Sequence, residues 1–251
     1  MKPVIWTYWE TRTNDIRPEY IDLCQETWHR HCGADFDIQC VAPDTVAEYA
    51  PNLIATWHKL PTIAHKADYL RAVLLFRHGG IWLDADTIVL HSLVPLTAAL
   101  DRSEAHFVGF GHPGQPLNGM LCAKAGCSML AAYIERMTAY LTERQGDLHF
   151  DWTAIGEQIL WPLSQSYSFF QFPFRFFLPI HWDRCDVFFR NTPLDALRPL
   201  DCDLRDDTLA VCLYNSRFPE SVRRMTRSDL LQSPMVLGRL FQRALGTSAP
   251  T

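Results

Sequence analysis

The sequence lacks the long apolar runs that mark membrane-spanning or exported proteins. In the first leucine-rich stretch, the apolar run 72–76 is only five residues long, whereas a spanning helix needs roughly twenty apolar residues. At the N-terminus, Thr7 and Glu10 interrupt the apolar residues before the core of a signal peptide could form. The sequence therefore predicts a protein that stays in the cytoplasm.

Metal-binding cysteine pairs and an excess of positive charge are also missing. None of the eight cysteines forms a C-x-x-C pair, which argues against a zinc knuckle or a disulfide framework and predicts buried free thiols. Lysine and arginine total 23 against 28 acidic residues, a net charge of -5. This balance disfavours nucleic acid as a partner.

Strand and helix patterns alternate along the chain. Strands are predicted over 4–8, 37–41, 81–83, 106–110, 120–123 and 209–214, and helices over 18–32, 45–49, 62–78, 126–143 and 152–163. This alternation predicts an α/β fold, with a central, mostly parallel sheet flanked by helices. Because no composition break marks a second domain, we expect one domain over 1–216, followed by a helical tail over 217–251.

The tail is basic, with six arginines against two acidic residues over 217–251. Met235, Val236, Leu240 and Phe241 could form an apolar stripe on a helix. Two interpretations remain open: the helix packs on the domain, or it lies peripherally on the anionic inner face of the cell membrane. The sequence does not indicate an oligomeric state.

Paired carboxylates follow the strand over 81–83. If Asp84 and Asp86 continue this strand, their side chains project to the same face. Oxygen ligands so placed select hard cations such as Mg²⁺ or Mn²⁺. Two further D-x-D copies, at 35–37 and 201–203, are interpreted as solvated turns, because only the central copy follows a helix, a Gly-Gly break and an apolar strand.

An acid and an arginine lie upstream on the predicted helix over 62–78. Asp68 and Arg71 are three residues apart, so they are neighbours on one helix face. The helix is otherwise largely apolar. We therefore expect this pair to point into a site.

The segment from Asp68 through Arg71 to Gly79-Gly80-Ile81-Trp82-Leu83-Asp84-Ala85-Asp86 resembles the sugar-binding D-x-D region of glycosyltransferases with the GT-A fold. The similarity is greatest to the capsular-polysaccharide and α-1,6-mannosyltransferase group, with the large clostridial glucosylating toxins as distant relatives. The segments 5–10 and 116–120 also match this group. The resemblance implies a Rossmann-like, nucleotide-sugar-binding GT-A domain.

The resemblance also implies a role for each matching residue. Tyr8 and Trp9 would bind the donor, with the ring of Trp9 stacked on its base. Asp84 would contact the ribose and a Mn²⁺ or Mg²⁺ ion, and Asp86 the metal and diphosphate. The sugar would be held by Asp68, Arg71 and Asn118, with Arg71, Asp84 and Asp86 forming the catalytic set. The donor would be a nucleotide sugar, with UDP favoured and GDP as the alternative. The acceptor would be a polysaccharide or a lipid-linked glycan, and transfer would retain the anomeric configuration.

The chain departs from the family pattern near residue 212. Cys212 stands where the family often has a histidine that closes over the metal or donor. Either Asn215 or Ser216 would then supply the missing contact, with Asn215 as a candidate metal ligand, or the metal would be held by fewer protein ligands. The departure leaves a weakened nucleotide-sugar or glycan binding module as an alternative, and a nucleotide-sugar hydrolase is a third.

Three residues are candidates for the acceptor side of the site. His112 lies in a glycine-rich segment, 109–114, that we expect to form a loop. Asp151 and Glu157 lie in a segment similar to the family's later helix beside the acceptor cleft. Capping of that helix is the alternative role for Asp151.

Overall fold

A computed structural model describes residues 2–11, 15–102, 107–112, 115–144 and 146–247; for residues 102 and 107–112 it describes the backbone alone. The chain divides into two compact units. Unit 1 comprises Met1–Glu10, Phe36–Leu83 and Val94–Pro173, and unit 2 comprises Thr11–Asp35, Asp84–Leu93 and Phe174–Thr251.

The strands are β1 (Val4–Tyr8), β2 (Asp37–Val41), β3 (Gly80–Leu83), β4 (Thr87–Val89), β5 (Phe107–His112), β6 (Gln115–Pro116), β7 (Met120–Ala123), β8 (Phe170–Pro173) and β9 (Ala210–Cys212). The α-helices are α1 (Glu19–Cys32), α2 (Val46–Tyr49), α3 (Ile63–His78), α4 (Val94–Arg102), α5 (Ser128–Glu143), α6 (Glu157–Ser164), α7 (Glu220–Arg223), α8 (Arg227–Gln232) and α9 (Val236–Leu245). Short 3-10 segments lie at Ala55–Lys59, Phe174–Phe176, Trp182–Phe189, Leu194–Ala196 and Asn215–Arg217. The α/β class predicted from the sequence is confirmed.

Unit 1 is built on a seven-stranded sheet with the order β2-β1-β3-β7-β5-β6, and β8 pairs with β5. The pairs β1–β2, β1–β3 and β5–β8 are parallel, and the pairs around β7 and β6 are antiparallel. Because β1 and β3 are parallel, Tyr8 and Leu83 end their strands at the same sheet edge. Met120, the first residue of β7, pairs with Leu83, so β7 begins at this edge.

Local chemistry fixes both ends of α3. Thr62 caps the first turn by accepting the backbone N–H of His65 over 3.1 Å. The helix ends at the Gly79-Gly80 pair, whose φ angles of 69° and 103° favour glycine. At Gly80 a Cβ atom would lie 2.3 Å from the Val4 carbonyl oxygen, so glycine also permits the close approach of β3 to β1.

The core of unit 1 surrounds α3. It includes Trp6 from β1, Trp82 from β3, Leu70 from α3 and Tyr133 from α5, all almost fully buried. Burial of this apolar surface stabilises the packing of α3 and α5 on the sheet. The sheet edge that carries the candidate residues is therefore backed by buried apolar side chains.

Unit 2 contains the antiparallel pair of β4 and β9 together with α1 and the C-terminal helices. In α1 the predicted apolar positions Ile21, Cys24 and Trp28 are fully buried. The Trp28 indole donates to the Thr87 carbonyl oxygen over 2.6 Å, which ties α1 to β4.

The basic tail forms α7, α8 and α9 within unit 2. The apolar side of α9 is buried, with Val236, Leu240 and Phe241 inaccessible to solvent. This burial agrees with the helix-on-domain alternative, because the stripe already has a protein partner. The domain boundary at 216/217 stays a prediction. None of the helices in the described part of the chain has the length and apolar character needed to cross a bilayer.

Three local predictions need correction. The helix expected from 152 begins at Glu157, because residues 152–156 form turns. Residues 109–112 belong to β5 rather than to a loop. Asp201 is not a solvated turn residue: it is 4% exposed and pairs with Arg198 over 2.7 Å. None of the eight cysteines, all of which lie in the described part of the chain, forms a disulfide. Seven are buried as predicted, and Cys40 is exposed.

Candidate functional site

A connected group of polar side chains lies inside unit 1 at the sheet edge where β3 ends. Asp68 and Arg71 lie one turn apart on α3, and Arg71 Nη2 is 3.1 Å from Asp68 Oδ1. Asn118 lies in the turn before β7, and its Nδ2 donates to Asp68 Oδ1 over 2.9 Å. The structure thus brings together the three residues to which the sequence analysis assigned the sugar.

Arg71 is engaged by protein acceptors at each of its three side-chain nitrogens. Its Nε donates to the Ala67 carbonyl oxygen over 3.3 Å, its Nη1 to the Asn118 carbonyl oxygen, and its Nη2 contacts Asp68. The guanidinium also lies over the Trp82 ring, 5.1 Å from its centroid. Its charge is balanced by Asp68, so the visible role of Arg71 is to hold Asp68 and Asn118 in place.

The side-chain oxygen of Asn118 is an unused acceptor. It is buried and has no hydrogen-bond partner among the described residues, and Asn118 as a whole is only 8% exposed. A buried polar atom without a partner destabilises a fold, so such atoms are uncommon outside functional sites. A hydroxyl group of a ligand could satisfy this oxygen.

A second polar group follows β1. Glu10 Oε2 accepts a hydrogen bond from the Tyr8 hydroxyl over 2.7 Å and pairs with Lys66 Nζ over 2.6 Å. Burial and the adjacent carboxylate raise the pKa of Tyr8, so its phenol stays neutral. The Tyr8 ring packs edge-on against Trp57 with a centroid distance of 5.8 Å.

Of the two aromatic residues predicted to bind the donor, Tyr8 and Trp9, Trp9 is the more accessible. It is partly exposed just after β1, and its backbone N–H donates to the Val41 carbonyl oxygen. Tyr8 is buried and directs its hydroxyl to Glu10. Stacking of Trp9 on a base stays a prediction.

The paired carboxylates lie in unit 2, where the chain leaves β3. Asp84 follows the last residue of β3, and Ala85 and Asp86 form a turn before β4. The side-chain alternation expected for a continuing strand therefore does not apply here. Both carboxylates are partly buried.

Asp86 is held by the segment after β9. Its Oδ2 accepts the backbone N–H of Asn215 over 2.6 Å, and its carbonyl oxygen accepts the N–H of Leu213 over 2.9 Å. The side-chain oxygen of Asn215 accepts a hydrogen bond from the Tyr20 hydroxyl. Asn215 thus positions Asp86 through its backbone, and its role as a metal ligand stays a prediction.

The candidate acceptor residues differ in their surroundings. His112 ends β5, and its side chain lies outside the described residues. Asp151 is exposed, and its carbonyl oxygen contacts the ring of His65 over 3.3 Å. Glu157 is partly buried; burial raises the pKa of its carboxyl group, and the positive charge of Arg71 opposes the shift. Glu157 is therefore close enough to the polar group of unit 1 to feel the charge of Arg71.

Comparison with solved structures decides the fold. Glycosyltransferase GlyE of Streptococcus pneumoniae TIGR4 is 15% identical, with 100% of this chain and 66% of that chain covered and a TM-score of 0.54. Galactosyltransferase LgtC, solved with donor and acceptor sugar analogues, is 12% identical, with 98% and 97% covered and a TM-score of 0.50. This chain has the GT-A fold.

The sequence of this GT-A protein is similar to two further groups. Residues 1–116 match the family model described as "Capsular polysaccharide synthesis protein". The initiation-specific α-1,6-mannosyltransferase of Saccharomyces cerevisiae (strain ATCC 204508 / S288c) is 30% identical over 94 residues, which cover 34% of this chain. The match spans only a fifth, 20%, of the yeast protein. The likeness to capsular and mannosyltransferase-type proteins is confirmed, whereas that to the clostridial toxins stays a prediction.

The carboxylates of this GT-A protein suit a hard divalent cation in their chemistry. Asp84 and Asp86 offer oxygen ligands, the type that Mg²⁺ and Mn²⁺ prefer. The described residues contain no group of three His, Cys, Asp or Glu side chains that could hold a metal. Mg²⁺ commonly completes its shell with water and substrate phosphate oxygens, so a pair of carboxylates is compatible with its chemistry.

Cys212, at the position of the family histidine, lies buried in β9. Burial raises the pKa of its thiol well above the ordinary value, and the negative charges of Asp86 and Asp84 add to the shift. A protonated thiol is a poor ligand for Mg²⁺ or Mn²⁺. The thiol of Cys212 therefore does not suit either ion as a ligand, and its exchange for the family histidine stays a prediction.

Sequence reasoning overlooked two residues that contact the polar group in unit 1. Tyr133 was identified only as an apolar position of a helix, and Gly156 was not singled out. A tyrosine on the buried face of a helix is itself a signal, because its hydroxyl needs a partner there. The partner could not be inferred, because it comes from distant parts of the chain.

Proposed function

We propose that this GT-A protein is a metal-dependent glycosyltransferase. The donor is a nucleotide sugar, with a UDP-sugar favoured over a GDP-sugar, and the acceptor is a polysaccharide or a lipid-linked glycan. The proposal is supported by the fold, by the similarity to capsular and mannosyltransferase-type proteins, and by the polar group in unit 1.

The observation that carries the proposal is the unpartnered side-chain oxygen of Asn118, fixed beside Asp68 and Arg71. Sugars present several hydroxyl donors, and a buried acceptor can bind one of them without competing with a protein donor. Asp68 adds a carboxylate that can accept a second hydroxyl. We assign both residues to the sugar of the donor.

Asp84 and Asp86 would hold the cation, with Asp86 kept in place by the backbone N–H of Asn215. A bound Mn²⁺ or Mg²⁺ supplies Lewis-acid stabilisation of the negative charge that develops on the departing diphosphate. Trp9 would stack on the base.

In the proposed transfer, the acceptor hydroxyl oxygen bonds to the anomeric carbon on the face from which the diphosphate leaves. The bond between the anomeric carbon and the diphosphate oxygen breaks, and the hydroxyl proton passes to the departing diphosphate. The anomeric configuration is thereby retained without a covalent enzyme intermediate. His112, Asp151 and Glu157 remain candidates for orienting the acceptor.

The test replaces one carboxylate of the pair. Asp86→Asn keeps the size of the side chain and its acceptor oxygen, but removes the charge that would bind the cation. We expect turnover of UDP-sugars in Mn²⁺, followed as release of UDP, to fall by about 100-fold or more.

Asp203→Asn is the matched control, because Asp203 belongs to another D-x-D copy and pairs with Arg205 over 2.7 Å on the surface. This variant should keep the wild-type rate. An Asp86→Asn variant that is fully active, and active in EDTA, would overturn the metal-dependent assignment.

A weakened binding module is the second candidate, and the buried Cys212 in place of the family histidine favours it. It predicts binding of UDP without turnover of any donor, including slow hydrolysis. A hydrolase would instead release free sugar in the absence of an acceptor. Product analysis therefore separates the three activities.

Peripheral contact with an anionic membrane is a separate part of the proposal. Because the apolar side of α9 is buried, this contact would depend on exposed arginines, among them Arg217, Arg224 and Arg243. Binding to vesicles containing anionic lipid should be present at low salt and weaken as salt is added. Lack of binding at low salt would remove this part. The cytoplasmic location stays a prediction.

A further inference from the structure

Tyr133 connects α5 to the polar group of unit 1. Its side chain is fully buried, and its hydroxyl donates to the Ile155 carbonyl oxygen over 2.9 Å. The same hydroxyl oxygen lies 3.5 Å from Asn118 Nδ2. Burial raises the pKa of Tyr133, and the nearby charge of Asp68 adds to the shift, so the phenol stays protonated.

Because the Tyr133 hydroxyl donates its proton to the Ile155 carbonyl oxygen, it determines the orientation of the Asn118 side-chain amide. Because the proton is given to Ile155, the phenol oxygen offers only lone pairs to Asn118. The Asp68 carboxylate can also only accept. The amide nitrogen of Asn118 therefore faces these two acceptors, and a flipped amide would place its oxygen against both.

Gly156, the residue after Ile155, lies against the side chains of Asn118 and Asp68. A Cβ atom at this position would lie 2.9 Å from Asn118 Nδ2 and 2.9 Å from Asp68 Oδ2. Both atoms lie at the ends of short, buried side chains, which cannot move far to accommodate a methyl group. The absence of a side chain at Gly156 thus lets the backbone after Ile155 pack directly on the pair.

We propose that Tyr133 and Gly156 are positioning residues that orient Asn118 so that its side-chain oxygen faces the sugar of the donor. Tyr133 holds the backbone at Ile155 and disfavours the flipped orientation of the Asn118 amide. Gly156 leaves room for the side chains of Asn118 and Asp68. This inference rests on the proposed function, since it assigns Asn118 to the sugar.

The test measures how much the sugar contributes to donor affinity. Wild-type protein is titrated calorimetrically in Mn²⁺ with UDP, GDP, UDP-glucose, UDP-galactose and GDP-mannose, and the ratio of affinities with and without the sugar is taken. Tyr133→Phe keeps the buried ring and removes the hydroxyl. We expect it to lower the affinity for the nucleotide sugar by about tenfold and to leave the affinity for the free nucleotide unchanged.

Tyr69→Phe is the matched control, because Tyr69 is also buried in unit 1 and its hydroxyl bonds to Thr138 over 2.9 Å. It should leave both affinities unchanged. Gly156→Ala provides an independent variant and should also reduce only the affinity that depends on the sugar.

The possible results separate the inference from the proposed function. If the wild-type protein gains affinity from the sugar and both Tyr133→Phe and Gly156→Ala keep that gain, the inference is overturned while the proposed function stands. If the wild-type protein binds none of the probes, both are overturned. If it binds the nucleotides but binds no nucleotide sugar more tightly, the inference alone is overturned. If Tyr133→Phe and Gly156→Ala lose affinity for the nucleotide and for the nucleotide sugar by the same factor, the two residues have a purely structural role and the inference is overturned.

Discussion

Removing one member of the buried Asp68–Arg71 pair should be far more harmful than removing both. The side chains of Arg71 and Asp68 are 4% and 10% exposed. Asp68→Ala would leave the guanidinium buried without its counter-charge, and breaking a buried pair in this way costs about 3 to 5 kcal/mol. A native domain is stable by only about 5 to 15 kcal/mol, so the variant should be marginal.

Replacing both residues tests the cause of that loss. The double variant Asp68→Leu/Arg71→Met exchanges the pair for apolar side chains of similar shape, and such an exchange is often neutral or stabilising. The Asn118 carbonyl oxygen would lose its donor from Arg71, and a buried acceptor left without that donor costs about 1 to 3 kcal/mol. We therefore expect the double variant to be more stable than Asp68→Ala.

Urea unfolding of the wild type and both variants provides the measurement, because the midpoint and slope report stability and exposed surface separately. The double variant should fold but gain no affinity from the sugar of a nucleotide sugar. An Asp68→Ala protein with the wild-type midpoint would refute the argument, since Arg71 would then not depend on Asp68. A double variant that still discriminates the sugar would remove Asp68 from the sugar site.

Two further predictions concern stability. His65 is 2% exposed, and burial lowers its pKa below the ordinary 6.5. Because the unfolded state then binds the proton more readily, the stability present above about pH 6.5 should be lost as the pH falls through the lowered pKa. His65→Gln should therefore reduce the change in urea midpoint between about pH 7.5 and about pH 5.5. Unchanged pH dependence in that variant would exclude His65 as the cause. Gly80→Ala should destabilise by about 3 kcal/mol or more, because its Cβ would meet the Val4 carbonyl oxygen at 2.3 Å and φ is 103°. Gly126→Ala, with φ of 74° and no atom within 4 Å, should cost only about 1 to 2 kcal/mol, so equal thermal shifts for the two variants would contradict the packing argument.

Features with a local cause could be predicted from the sequence. The strand over 4–8 follows from its β-branched and aromatic residues, and the exit of α3 follows from the Gly79-Gly80 pair. The spacing of Asp68 and Arg71 places them on one helix face, and the structure shows them paired. Each of these depends on neighbours within a few residues.

Features that depend on distant partners could not be predicted. Asp201 resembled a turn residue by its neighbours, yet Arg190 also reaches it, with 3.4 Å between Nη1 and Oδ1. The start of α6 at Glu157 was misplaced because the turns before it carry helix-compatible residues. The partners of Tyr133 lie in the turn before β7 and at Ile155, and no local pattern connects these segments.

The contact of Asn118 with Asp68 is an intermediate case. Fifty residues separate the two, so periodicity does not connect them. Only the resemblance to a family assigned both to one sugar. The structure adds the geometry that makes the assignment testable, namely a fixed amide whose oxygen has no partner.

The most direct test of the proposed donor site is a calorimetric titration of the protein with UDP and with GDP, each in Mn²⁺ and in EDTA. One experiment thus examines the base, the diphosphate and the metal together. We predict micromolar binding of UDP that requires Mn²⁺ and is lost in EDTA. Tighter binding of GDP would correct the base and redirect the search to mannose or fucose donors. Binding of neither nucleotide, with or without the metal, would contradict the assignment of this GT-A protein as a nucleotide-sugar-dependent transferase.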